Sequence, residues 1–326
     1  MSGAEKPAAA FPLILFRILN KGAASHMYTQ TGPRVFHRFT DKHFDILMIL
    51  PALIVLLCMV GGPLIYTIGL SFTDWHISSV KKPVFAGVVN FVKIFQDPYL
   101  YEALWVTFTF TFGSLFFQVL IGVALAEFLN RQFRGIGVVR SVLVLPMAST
   151  PVAISILWRL MLHPTLGILN YFLSELGIGG QAWFSQHSTV IPALIVVDVW
   201  HWTPIIMLIA MAGMASIDRT LYEAGVIDGA SKFQMFWRIT LPLIRPAVVV
   251  AVMLRLMDSL KTFDMIYVVT NGGPGNASRI LNLLIFDQAF RYFRMGYASS
   301  MVIFMTVLMM GLTLALIRIR RARSMR

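Results

Sequence analysis

Six ionisable side chains set into apolar sequence are the residues best placed to do chemistry. Arg255, Asp258, Lys261 and Asp264 follow one another at intervals of three with alternating sign, and Asp198 and His201 share a second apolar run with Trp200 and Trp202. Ionisable groups within a hydrophobic run face a bundle interior or a water-filled cavity, because a charge turned to lipid costs about 3 kcal/mol or more. Two chemistries fit the four-residue series. Neighbours at this spacing can pair along one helix and neutralise each other. Alternatively, Asp258 and Asp264, with Ser259 beside the first, accept hydrogen bonds from the hydroxyls of a polar solute. Trp200 and Trp202 lie about halfway along their run, away from the interfacial level where Trp gathers. They serve either helix packing or an aromatic face for the apolar side of a sugar ring or polyol chain. Asp198 and His201 could also relay a proton, which with Asp258 would make a proton-coupled secondary transporter.

Other chemistries find no support. A P-loop needs a Gly-Lys pair so that the lysine reaches the phosphates, and that dipeptide is absent. The seven histidines form no HxH or HxxxH pair, and GxSxG is missing. The expectation is a non-enzymatic chain with no catalytic residue, no metal site and no cofactor of its own.

Composition identifies the elements that hold these groups. The chain has 326 residues, of which 57% are hydrophobic and 13% charged, where soluble domains are about one quarter charged. A bilayer crossing takes roughly 20 apolar residues, and six runs qualify: about 44–70, 104–129, 137–162, 190–214, 243–269 and 298–318. The expected fold class is therefore an all-α integral membrane protein with six transmembrane helices. The net charge of +12 is distributed by topology rather than gathered for nucleic acid. Eighteen Lys/Arg fall in the two ends and in the loops after spans two and four, against six in the other three loops. The positive-inside rule then places both termini and the 215–242 loop in the cytoplasm. The one cysteine, Cys58, lies in the first run, so no intrachain disulfide forms. Residues 1–43 carry no signal-peptide pattern and read as a basic segment on the membrane surface. The first external loop should hold a short surface helix near FAGVVNFVKIFQDPYL, and TNGGPGNAS opens the third with a tight turn.

The loop after the fourth run reads EAGVIDGASKFQMFWRITLPLIRP over residues 223–246. Asp228-Gly229 interrupts a first short helix. Ser231 can cap a second helix bearing Phe233, Phe236 and Trp237 on one side. Small residues let another backbone approach. A helix lying in the headgroups would show this pattern, and so would a docking element for a soluble partner.

This loop resembles the coupling-loop signature of permease subunits in binding-protein-dependent ABC importers. The matching positions are Glu223, Ala224, Gly225, Asp228, Gly229, Ala230, Phe233, Ile239, Leu241, Pro242 and Pro246. Gly225 departs from the alanine usual in that family, at a helix-propensity cost of roughly 1 kcal/mol. FDMIYVVTNGGPGNAS, with Gly272, Gly273 and Pro274, is similar to the corresponding segment of carbohydrate permeases of the maltose-permease type, and VNFVKIFQDP, WRLMLHPTLGILN and VWHWTPIIMLIAMAGM are similar in the same way. The resemblance spans about residues 44–318. It implies a type I ABC importer permease fold, with a core over 104–318, a coupling helix-loop-helix at 217–242 and a basic tail at 319–326. It also implies a bacterial inner-membrane location and a set of partners: ABC ATPase subunits that carry ATP and Mg, a second homologous permease, and an external solute-binding protein that delivers a sugar or polyol. Membrane lipid is the surrounding medium, and no nucleic acid is implied.

Overall fold

A computed structural model describes residues 48–78, 83–131 and 133–324, with side chains through residue 318. The basic segment expected at 1–43 lies outside these residues. The chain divides into two compact units, residues 1–63 and 64–326. The described part of the first unit is the opening of helix α1 (Met48–Ser71), whose side chains, Cys58 included, are exposed apart from a half-buried Gly61.

The second unit continues from the end of α1 into a two-stranded antiparallel ribbon, β1 (Thr73–Asp74) and β2 (Val84–Phe85). The short helix expected in this loop is α2 (Val89–Gln96), fastened by the buried Asn90 amide, which donates to Ser71 O at 3.1 Å and Thr73 O at 2.8 Å. Asp97 and Pro98 then start α3 (Pro98–Leu129): the carboxylate accepts the Tyr99 N–H and the proline takes the first turn, where its missing N–H costs nothing. Helix α7 (Val190–Ala215) packs along α3. Their seam narrows at Gly122, where a Cβ would stand 3.0 Å from Ile206 and 3.2 Å from Met207 N. Leu194, Val197, Ile206, Met207 and Ala210 are buried along α7. Helices α9 (Lys232–Leu260) and α12 (Met295–Ser324) complete the long elements.

Among the described residues, five helices (α1, α3, α7, α9 and α12) are long and apolar enough to cross a membrane. The third expected crossing, 137–162, is not one helix. It is a pair, α4 (Ile136–Ala148) and α5 (Pro151–Met161), bent by 100°. Pro151 forces Thr150 into extended backbone, and Thr150 Oγ1 then caps the new helix by accepting the Ala153 N–H. The fifth expected crossing is also interrupted. Helix α9 stops at Leu260, and Asp264 opens a separate helix, α10 (Asp264–Val269), which packs on α5. The Asn282 amide caps the break by donating to Leu260 O and Thr262 O. Two further short helices, α6 (Ile168–Glu175) and α11 (Leu281–Phe286), lie between the long ones, and α8 (Arg219–Ile227) joins α7 to α9.

Candidate functional site

Helices α3, α7 and α9 bring four polar side chains to one point in the bundle. Arg255 Nη2 donates to both Asp198 carboxylate oxygens at 2.7 Å, and Arg255 Nε donates to Gln118 Oε1 at 3.1 Å. Gln118 Nε2 donates onward to Asp198 Oδ2 at 2.8 Å. Arg255 and Asp198 side chains are each 2% exposed. A buried ion pair of this kind repays its desolvation only when the remaining hydrogen-bonding capacity is filled, and Gln118 fills it. The fourth partner differs. Arg255 Nη1 donates to Asp258 Oδ2 at 2.8 Å, and that carboxylate is 57% exposed. The Trp202 ring lies over the guanidinium, 5.0 Å from carbon to ring centroid, within cation–π range.

The other sequence-derived candidates lie elsewhere. Asp264 heads α10 and does not continue the Arg255–Asp258 face, so the strict three-residue ladder ends with α9. Among the described residues neither Lys261 nor Asp264 forms an ion pair. Ser259 is buried beside Asp258, with its hydroxyl unpartnered among the described residues. Trp200 points away from Trp202, since two residues along a helix turn through about 200°. Its ring meets Trp158 edge-on at 5.6 Å and lines an apolar groove of about 1010 Å³ between α3, α4, α5 and α7. His201 Nε2 stands 3.3 Å from Ser149 O and makes no hydrogen bond to Asp198, so the geometry gives a proton relay no link. Sequence reasoning missed Gln118. Its signal was a lone amide within an apolar run.

The α8–α9 connection is built from local rules. Asp218 caps α8 by accepting the Thr220 N–H at 3.0 Å, a bond that holds its carboxyl below the usual range. Gly229 ends the helix at φ +71°, with Ala230 N–H donating to Gly225 O and Gly229 N–H to Val226 O, a Schellman stop. Ser231 and Gln234 then form a reciprocal capping box for α9. The second helix expected in the loop is thus the start of α9, not a separate piece. A π turn, Phe236–Thr240, precedes Pro242, and Leu241 N–H closes the wider turn on Phe236 O. Tyr222 and Thr240 hydroxyls, 3.0 Å apart, tie α8 to α9.

Gly225 faces inward: a Cβ there would meet Ile239 at 3.2 Å. An alanine there would press lightly on the tip of the Ile239 side chain. Glu223, Ala224, Asp228, Gly229 and Phe233 are exposed, and Ala230 is half-buried. Val226, Ile227, Phe233 and Trp237 are 64%, 86%, 72% and 52% exposed, so the loop holds four apolar side chains outward along one edge of the α8–α9 connection. Far from it, Gly272, Gly273 and Pro274 form a closed turn. Ser278 Oγ donates to Gly273 O at 2.6 Å and lies 2.7 Å from Thr270 Oγ1. Gly272 takes φ +88°, which a side chain would strain.

Comparison with known proteins agrees with this arrangement. Residues 118–324 match the family described as binding-protein-dependent transport system inner membrane component. The trehalose/maltose transport system permease protein MalF of Thermococcus litoralis is 33% identical over 289 residues, covering 88% of this chain and 96% of that protein. Among solved structures, a chain of a bacterial ABC transporter involved in the import of the acidic polysaccharide alginate is similar with a TM-score of 0.77 and 25% identity, over 89% of this chain and 99% of that one. A bacterial alginate ABC transporter in complex with an alginate pentasaccharide-bound periplasmic protein matches with a TM-score of 0.75 at 24% identity, over 86% and 94%. Five long apolar helices with one bent pair, a doubly capped connecting loop and a family match over most of the chain lead to one conclusion: the chain belongs to the binding-protein-dependent transport system inner membrane component family, as a non-catalytic permease subunit.

Proposed function

We propose that this permease carries a sugar or sugar alcohol across a bacterial inner membrane, driven by ATP that separate ABC ATPase subunits bind with Mg and hydrolyse. The chain itself holds no cofactor in this reading. It works beside a second homologous permease and receives its solute from an external binding protein. The observation that carries the reading is the edge of Val226, Ile227, Phe233 and Trp237 on the α8–α9 loop. Apolar surface concentrated on a short capped loop marks a protein contact, and the aromatics supply anchors of the kind that dominate interface energies. The carbohydrate assignment is supported by the trehalose/maltose transport that MalF is named for, and by Asp258, an exposed carboxylate suited to sugar hydroxyls.

The Lys/Arg distribution supports cytoplasmic termini and a cytoplasmic α8–α9 loop. In a Cys58→Ser background, cysteines at Ser231 and Ser185, both exposed, should label from opposite sides with an impermeant thiol reagent. The function itself is tested by sugar uptake into vesicles carrying this chain alone, then with the ATPase, the second permease and the binding protein. Uptake only by the complete set is expected. ATP-independent uptake by the lone chain would overturn the reading.

A further inference from the structure

The exposed side of the Arg255 network presents an acid, while its base is withdrawn. Arg255 is 2% exposed and Asp258 57%. The guanidinium is spent on Asp198 and Gln118, capped by Trp202, and reaches Asp258 only through Nη1. Asp258 Oδ1 accepts no hydrogen bond among the described residues. The charges of Arg255, Asp198 and Asp258 sum to one negative, and that negative lies at the surface. Beyond the end of α9, exposed Lys261 and Asp264 add one charge of each sign.

Its place on α9 decides what this surface borders. Asp258 lies in a helix long and apolar enough to cross a membrane, two residues before that helix stops at Leu260. A carboxylate exposed on such a helix is costly against lipid, so this side of α9 faces a polar surrounding. We propose that Asp258 makes the path selective for uncharged polyhydroxylated solutes and acts against anionic ones. A solute hydroxyl donates to the free Oδ1. An anionic group about 6 Å away is disfavoured roughly ten- to a hundredfold at an effective dielectric constant of about 20–40. The similar alginate importer handles an acidic polysaccharide, so the exclusion would belong to these side chains and not to the architecture. This inference rests on the permease reading above and refines its solute class.

The test reads the local field without needing the solute. In a Cys58→Ser background, Leu254, 49% exposed and one turn before Asp258, is replaced by cysteine in the full complex in membrane vesicles. Modification rates are compared for the anionic sulfonatoethyl and cationic trimethylammonium-ethyl methanethiosulfonates, each normalised to its rate with a free thiol. The cationic reagent should react at least tenfold faster, and Asp258→Asn should reduce that preference at least threefold. Arg255 keeps Asp198 and Gln118 in that variant, so the bundle retains its lock. Equal rates, an unchanged ratio in Asp258→Asn, or no reaction from either side would overturn the proposal. Because the readout is independent of uptake, such a failure leaves the permease assignment standing. Failure of uptake by the complete set would remove that assignment without changing the measured ratio.

Discussion

The Arg255 network and the α8–α9 loop reverse the usual placement of polarity in opposite senses. One buries an ion pair among apolar helices, with Asp198 and Arg255 each 2% exposed. The other holds apolar side chains out, with Ile227 86% exposed at the end of a capped helix. Each inversion costs stability where it stands, and each is paired with something that offsets it. The network is completed within the chain by Gln118 and Trp202. The loop's apolar edge has no cover among the described residues. A self-completed inversion locks helices together, whereas an incomplete one waits for a partner.

Substitutions can break or sharpen that contrast. The largest effect should come from Arg255→Ala, which leaves the Asp198 carboxylate buried and unpaired at a cost of about 3–5 kcal/mol. Thermal unfolding of the detergent-solubilised chain should show a large drop. The double variant Asp198→Asn/Arg255→Gln keeps hydrogen-bonding groups without charge and should recover part of it. If the double variant is no better than the single one, charge stranding is not the cause.

Next is the joint change of Phe233 and Trp237 to alanine. Their rings lie 6.0 Å apart on the exposed edge. The isolated chain should keep its unfolding midpoint, while affinity for the ATPase falls at least tenfold, a loss of about 1.4 kcal/mol or more. A lowered midpoint with unchanged affinity would make this edge a folding element like the network. Gly225→Ala is smaller again. The new methyl meets Ile239 at 3.2 Å, but alanine favours the helix by roughly 1 kcal/mol, so chemical denaturation should show a net change under about 1 kcal/mol.

The smallest effect is one of pH. Asp218 has a depressed carboxyl pKa, from the Thr220 N–H bond, so its cap on α8 is complete above the ordinary aspartate range. It is lost as pH falls through the lower folded value. Amide exchange in the first turn of α8 should rise at acid pH, and Asp218→Asn should abolish that dependence.

The two regions also differ in how far the sequence disclosed them. The loop's stop and restart were readable because Gly229, Ser231 and Gln234 act on neighbours a few residues away. Gly225 was half-readable: its size was evident, but its inward contact with Ile239 depends on how α8 folds back on α9. The network was readable only in part. Arg255 and Asp258 are three residues apart, yet Asp198 and Gln118 reach Arg255 across 57 and 137 residues. No local pattern announces such a meeting. The two breaks were hidden for a different reason. Ser149-Thr150 lies in a largely apolar stretch, and the charges from Asp258 to Asp264 fit a ladder on one helix as well as a break, so Pro151 and the Asn282 cap decide where each helix ends. The proline was the readable half of that pair.

The resemblance implies a coupling role for the α8–α9 loop, and Gly229→Val tests whether ATPase closure passes through it to the bundle. Gly229 holds φ +71°, and a Cβ added there would have no atom within 4 Å, so valine would strain the turn without a steric clash in the bundle. The measurement is ATP hydrolysis by the reconstituted complex, with and without the solute-loaded binding protein. Normal membrane insertion and an intact unfolding midpoint for the helical bundle are expected, with solute-stimulated hydrolysis lost. Full stimulation in the Gly229→Val complex would contradict that coupling role.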